Sequence, residues 1–166
     1  NNSPDKFNRF LTSILEDSGI ELDIYIKFGQ QERGQYSVPD AFIQQDSFKI
    51  LIETKLYSQQ NIGQIKGHFN EFKDEPNQIF LWINKESIAT KYKNQIIDEV
   101  KKFNSKRKNK ISFASTTFKE ICEKFDDILN DYDFEMKEMI QDYDAFCYES
   151  GLLDNAESKI RLVPVG

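Results

Sequence analysis

The chain has 166 residues, enough for one domain with a sizeable core, and its 14 Phe and 7 Tyr supply bulky material for that core. Its 2 cysteines are too few for a disulfide framework, and no apolar stretch nears the ~20 residues of a membrane span. A net charge of −6 is the wrong sign for a protein that coats polyanions by charge alone. In chain order, Ser3 is placed to cap a first helix, with Pro4 at its first position and Asp5 in its first turn. Phe7, Phe10, Leu11, Ile14 and Leu15 give that helix a buried stripe, and Gly19 ends it. Leu22 to Phe28 alternates as a strand, and a glycine-containing turn over Gln30 to Gly34 follows. Two strand-like runs come next, Ser37 to Ile43 and Phe48 to Lys55, joined by a short turn. Gln59 to Phe69 reads as a helix returning over the sheet.

The continuous apolar run Ile79 to Ile83 reads as a buried central strand, parallel to its neighbour across the helix. A helix over about 90–103 then buries Tyr92, Ile96, Ile97, Val100 and Phe103, and Ile111 to Ala114 is a last short strand. Thr117 and Glu120 have capping-box spacing ahead of Phe118, Ile121, Cys122, Phe125, Ile128 and Leu129. A final helix over about 133–149 is expected to turn Met136, Met139, Ile140, Tyr143, Phe146 and Cys147 inward. Both cysteines fall in helical, apolar surroundings and read as buried free thiols. The order is αβββαβ followed by αβαα, with no repeat and no low-complexity linker, hence one domain: a core over about 3–115 and a helical extension over about 116–150.

The charge is unevenly spread. Residues 1–119 carry 18 basic and 15 acidic side chains, whereas 120–166 carry 4 and 13. The body is mildly basic and the C-terminal part holds the acid. One run, Lys101 to Lys110, has six basic residues and no acid. It reads either as a phosphate-binding patch, formed by Lys106, Arg107, Lys108 and Lys110, or as a solvated helix end favoured by the helix dipole.

The chemistry-bearing residues are Asp40 and the tripeptide Glu53-Thr54-Lys55. Strand alternation puts Glu53 and Lys55 on one face and Thr54 on the other. If the two runs pair as a hairpin, Asp40 reaches the same sheet end, and two carboxylates and an ammonium meet there. Glu-x-Lys alone carries no information, because the chain has it at Glu53–Lys55, Glu71–Lys73, Glu99–Lys101, Glu135–Lys137 and Glu157–Lys159; only the first ends an apolar strand run after a Pro-Asp strand. Gln64 and His68 sit one turn apart on the helix that follows.

Pro39-Asp40, then Glu53-Thr54-Lys55, then Gln64 in the next helix resembles the PD-(D/E)XK nuclease superfamily. Where many members have Gln-x-x-x-Tyr, this chain has Gln64 and then His68. The motif resemblance covers residues 37–69, and the resemblance in element order covers most of the chain. It implies a restriction-endonuclease-like fold: a mixed central sheet with an αβββαβ core, flanked by helices, here with a C-terminal helical extension. It further implies a metal-dependent hydrolase of phosphodiester bonds. Asp40 and Glu53 would hold magnesium, or manganese in its place, with the Thr54 carbonyl as a further ligand. Lys55 would orient the attacking water or stabilise charge growing on phosphate, and Gln64 would hold Lys55 or the phosphate. Glu16 is the nearest acidic candidate on the first helix to assist the metal; Asn8 and Thr12 on its polar border are alternatives.

DNA is the expected substrate, since most members act on it. An RNA- or tRNA-cutting enzyme and a catalytically inactive binding or regulatory module on the same fold are the rivals. No signal peptide is visible, so a cytoplasmic location is expected, as for bacterial antiviral-defence effectors that couple such nucleases to sensors. The chain starts at Asn1 and stops in the apolar run Ile160 to Gly166, which reads as a piece of a longer protein. Further domains and self-association are therefore left open.

Overall fold

The structure is a computed structural model and describes residues 4–15, 27–30, 38–55 and 61–153. Its elements are α1 (Pro4–Ile14), β1 (Lys27–Gln30), β2 (Ala41–Gln45), β3 (Phe48–Lys55), α2 (Ile62–Phe69), β4 (Asn77–Asn84), α3 (Thr90–Asn104), β5 (Ile111–Thr117), α4 (Phe118–Asp126) and α5 (Phe134–Glu149). This is the element order expected from the sequence. The Ser3 cap, Gly19, most of the Leu22 to Phe28 run, the glycine turn and Glu16 lie outside the described residues.

The five strands form one mixed sheet in the order β1-β2-β3-β4-β5. β2 is antiparallel to both of its neighbours, β1 and β3; β3, β4 and β5 are parallel. The switch has a local cause. Gln45 pairs with Phe48, so Asp46 and Ser47 alone turn the chain between β2 and β3, which forces an antiparallel neighbour. After β3 and again after β4 the chain returns through a helix, α2 or α3, which brings the next strand in parallel.

Alternation along the strands sorts side chains onto two faces. Phe48 and Ile50 of β3, Ile79, Leu81 and Ile83 of β4 and Ala114 of β5 pack with Leu11, Ile14 and Leu15 of α1, Phe118 and Cys122 of α4 and Cys147 of α5. Leu51 of β3 and Phe80 and Trp82 of β4 pack on the other face, with Ile65 and Phe69 of α2 and Ile96 and Val100 of α3. β4 is buried along both faces, as its unbroken apolar run requires. The C-terminal helices are part of the main core, since α4 and α5 supply Phe118, Cys122 and Cys147 to it. Thr117 and Glu120 form the expected capping box at the start of α4, and both cysteines are buried free thiols. Ion pairing of Lys6 with Asp133 and a Lys124 bond to the Ser13 carbonyl tie α1 to the same layer. Lys6 is the main reason that the Asp133 carboxyl is held below the ordinary carboxylate range.

Two expectations are corrected. β5 runs to Thr117 rather than ending at Ala114. On α5, Met139 and Phe146 are 68% and 59% exposed rather than inward, while Cys147 and Asp144 are buried. The helix carries apolar residues around most of its circumference, so sequence periodicity does not select the face that docks on α4.

Candidate active site

Glu53, Lys55 and Gln64 come together at the end of β3, and the register sets Asp40 beside Thr54 at that end of the sheet. Ala41 pairs with Ile52, so Asp40 lies where β2 begins and β3 is about to end. Glu53 and Lys55 pair with Trp82 and Asn84 of β4, whose Asn84 in turn pairs with Thr117 of β5. The site is therefore at the C-terminal ends of the parallel strands, the position at which open α/β sheets bind ligands.

Glu53 follows Leu51 by two residues and so shares its face, toward α2. It is 1% exposed. A carboxylate so buried needs partners; Glu53 has two hydrogen-bond donors and a nearby imidazole. Its Oε1 accepts from the Lys55 ammonium and, at 3.0 Å, from Gln64 Nε2. His68 Nε2 lies 3.0 Å from its other oxygen, Oε2. Gln64 also faces Lys55, its Oε1 3.5 Å from Nζ. The Asn61 side chain caps α2 by accepting from Gly63 N–H, and this sets the rotation that stacks Gln64 and His68 over Glu53. Lys55 Nζ stands 6.0 Å from the centre of the Trp82 ring. Trp82, read from sequence as core, is both core and floor of the site.

Asp40 is held differently. Its Oδ2 accepts from the Thr54 backbone N–H at 2.8 Å and from the Thr54 hydroxyl at 2.6 Å. Thr54 thus acts on Asp40 through its amide and side chain, a role the sequence did not disclose. No described residue bonds Asp40 Oδ1, so an anchored, exposed carboxylate keeps one oxygen available. Among the described residues no group of three or more His, Cys, Asp and Glu side chains is gathered for a metal. Two carboxylates lie near the end of β3, Glu53 engaged by Lys55 and Gln64 and Asp40 by Thr54; oxygen donors are the kind that hard cations such as magnesium or manganese take.

Leu11, Ile14 and Leu15 seat α1 on the face of the sheet opposite Glu53. The acid-rich α4 and α5 lie on that opposite face too.

The basic run is also elsewhere. Ile111 of β5 pairs with Gln78 and Gln78 with Lys49, so Lys106 to Lys110 precede the N-terminal end of β5. Six residues of strand, about 20 Å, separate that level from Lys55. Within the run, Arg107 is structural. It donates to the carbonyls of Phe69 (3.4 Å), Phe72 (3.1 Å) and Lys73 (2.8 Å), and its guanidinium lies 5.0 Å from the Phe103 ring centre. Lys110 donates to the Asn104 and Arg107 carbonyls. Lys106 and Lys108 are exposed. Arg107→Ala is expected to destabilise the fold by about 1.5–3 kcal/mol, the range for charged hydrogen bonds. Arg107→Lys should recover little of it, since an ammonium lacks the planar fork. Urea unfolding of both variants checks this; a midpoint equal to that of the parent would contradict it.

No family model, curated protein or solved structure matches the chain. Fold and site together define a class and no more: a mixed α/β domain with a carboxylate–lysine–glutamine cluster at the C-terminal end of its parallel strands. No helix among the described residues is long and apolar enough to cross a membrane.

Proposed function

We propose that the chain is a metal-dependent nuclease domain hydrolysing phosphodiester bonds, with DNA as the expected substrate. The observation that carries the proposal is the convergence of Glu53, Lys55 and Gln64 at the end of β3 beside an Asp40 carboxylate with one available oxygen. Asp40, Glu53 and the Thr54 carbonyl would hold magnesium or manganese, which supplies Lewis-acid polarisation of phosphate and an acidified water. The chain's own residues do the rest. Lys55 is an ammonium over an indole floor, placed to meet negative charge developing on phosphate oxygen. Gln64 limits where Lys55 can go, since it bridges Lys55 and Glu53. His68 Nε2 stands 3.0 Å from the other Glu53 oxygen.

One observation favours a second reading, a binding module without cleavage. Lys55 and Glu53 satisfy each other, and among the described residues no three His, Cys, Asp or Glu side chains are gathered to hold a metal. Incubation with plasmid, linear duplex, single-stranded DNA and RNA decides between them, each with magnesium, manganese or EDTA. Metal-dependent cleavage that Asp40→Asn removes is the expected result. Asparagine keeps an acceptor for Thr54 while losing the charge, so loss with an unchanged melting temperature assigns Asp40 to the chemistry rather than the scaffold. Binding without cleavage under every metal would leave the second reading.

A further inference from the structure

α3 carries lysines in its first turn and in its last, and the two ends differ in what surrounds them. Lys91, Gln95 and Glu99 are spaced four apart, so they stack along one side of α3. Glu99 of that row bonds Lys66 of α2 at 3.1 Å and Lys102 at 2.8 Å, and Lys102, then Lys66, hold its carboxyl below the ordinary range. The row thus faces α2, and Lys91 is its end nearest Glu53, Lys55 and Gln64. Lys93 follows on the same turn, and Lys85 comes directly after Asn84, the β4 partner of Lys55.

Three features mark this end. Lys91 and Lys93 are exposed, and among the described residues neither they nor Lys85 pairs with a carboxylate, whereas Lys66 and Lys102 do. The first turn of α3 has no acidic residue and no side-chain cap, so two ammonium groups sit at the positive end of a helix dipole with nothing to offset them. Between them, Tyr92 packs on Trp82 with ring centres 6.0 Å apart, and Trp82 in turn underlies Lys55. The Trp82 Nε1 and the Tyr92 hydroxyl oxygen are buried with no hydrogen-bond partner among the described residues. Exposed cations without carboxylate partners at this end are complementary to an anionic ligand.

We infer that the phosphodiester backbone crosses the C-terminal end of the sheet over the first turn of α3, with Lys85, Lys91 and Lys93 neutralising its phosphates on the way to Lys55, and that the Lys106–Lys110 run is not its seat. The inference rests on the nuclease reading for the identity of the polyanion. It is tested with the 166-residue chain, a short fluorescent DNA duplex and calcium in place of magnesium, by binding anisotropy over a salt series. Two variants are compared with the parent: Lys85→Gln/Lys91→Gln/Lys93→Gln and Lys106→Gln/Lys108→Gln. The first should weaken binding and lower the log–log salt slope by about 0.9 for each phosphate that is no longer neutralised; the second should leave both unchanged. Restoring charge with arginine at 91 and 93 should bring the slope back, which separates charge from any fault in folding. An unchanged slope in the first variant, or an equal fall in the second, overturns the inference while leaving the nuclease reading intact if magnesium-dependent cleavage persists. A lowered slope in a protein that never cleaves keeps the track and removes the nuclease reading. A parent that binds no nucleic acid overturns both.

Discussion

Glu53→Ala is expected to abolish cleavage and, unlike most active-site truncations, to destabilise the fold as well. Glu53 is almost wholly buried and faces the Lys55 ammonium, the Gln64 amide and the His68 imidazole. Deleting it leaves the part-buried Lys55 ammonium without its carboxylate. Removing one partner of a buried ion pair costs about 3–5 kcal/mol, a large share of what a domain has to lose. The rate loss from alanine alone would therefore mix unfolding with chemistry. Glu53→Gln keeps the volume and one acceptor oxygen but loses the charge and turns an amide nitrogen toward either Lys55 or His68. It should destabilise less than alanine yet lower cleavage by at least about 10²–10³-fold, the cost of deleting one electrostatic interaction with a transition state. Thermal melts beside single-turnover rates for both variants test this. A glutamine variant with near-parental activity would remove Glu53 from the chemistry and leave it as the buried anchor of His68 and Lys55.

Lys55→Ala separates catalysis from metal affinity. The ammonium cannot ligate a cation, and it occupies the Glu53 oxygen that a cation would take. The two positive charges compete for one carboxylate. Alanine at 55 should abolish cleavage, by about 10²–10³-fold or more, while calorimetric manganese or magnesium affinity stays equal or rises. Asp40→Asn should weaken metal affinity as well as cleavage, since it removes a carboxylate whose Oδ1 has no described protein partner. Metal affinity abolished as fully in the lysine variant as in the Asp40 variant would contradict this division of roles. So would cleavage retained by Lys55→Met, which keeps the chain length over Trp82 without the charge.

Much of this architecture is legible along the chain. The unbroken run Ile79 to Ile83 announces a strand buried on both sides, and the Thr117/Glu120 spacing announces the start of α4. Period-2 alternation puts Glu53 and Lys55 on one side and Thr54 on the other, and the four-residue spacing of Gln64 and His68 puts both on one helical side. These readings hold because each depends on a period or a cap encoded within a few neighbouring residues. The docking face of α5 is not legible for the opposite reason: Met139 and Phe146 are as apolar as the residues that pack, and only the position of α4 and α1 selects Cys147 and Asp144 for burial.

The order of the elements, the buried strand β4 and the meeting of Glu53, Lys55 and Gln64 at the end of β3 follow from the amino-acid order alone, because local periodicity and a two-residue turn leave little freedom there. What each charge does is a property of the folded molecule. Folding turned Asp40 to Thr54, placed His68 against Glu53 and engaged Arg107 with backbone carbonyls. It also carried the most basic stretch about 20 Å along the strands from the site and brought the first turn of α3 there instead. Charge in a sequence is counted along the chain, whereas a charge acts on what the fold sets within a few ångströms of it, and parallel strands send the two ends of every connecting helix to opposite ends of the sheet.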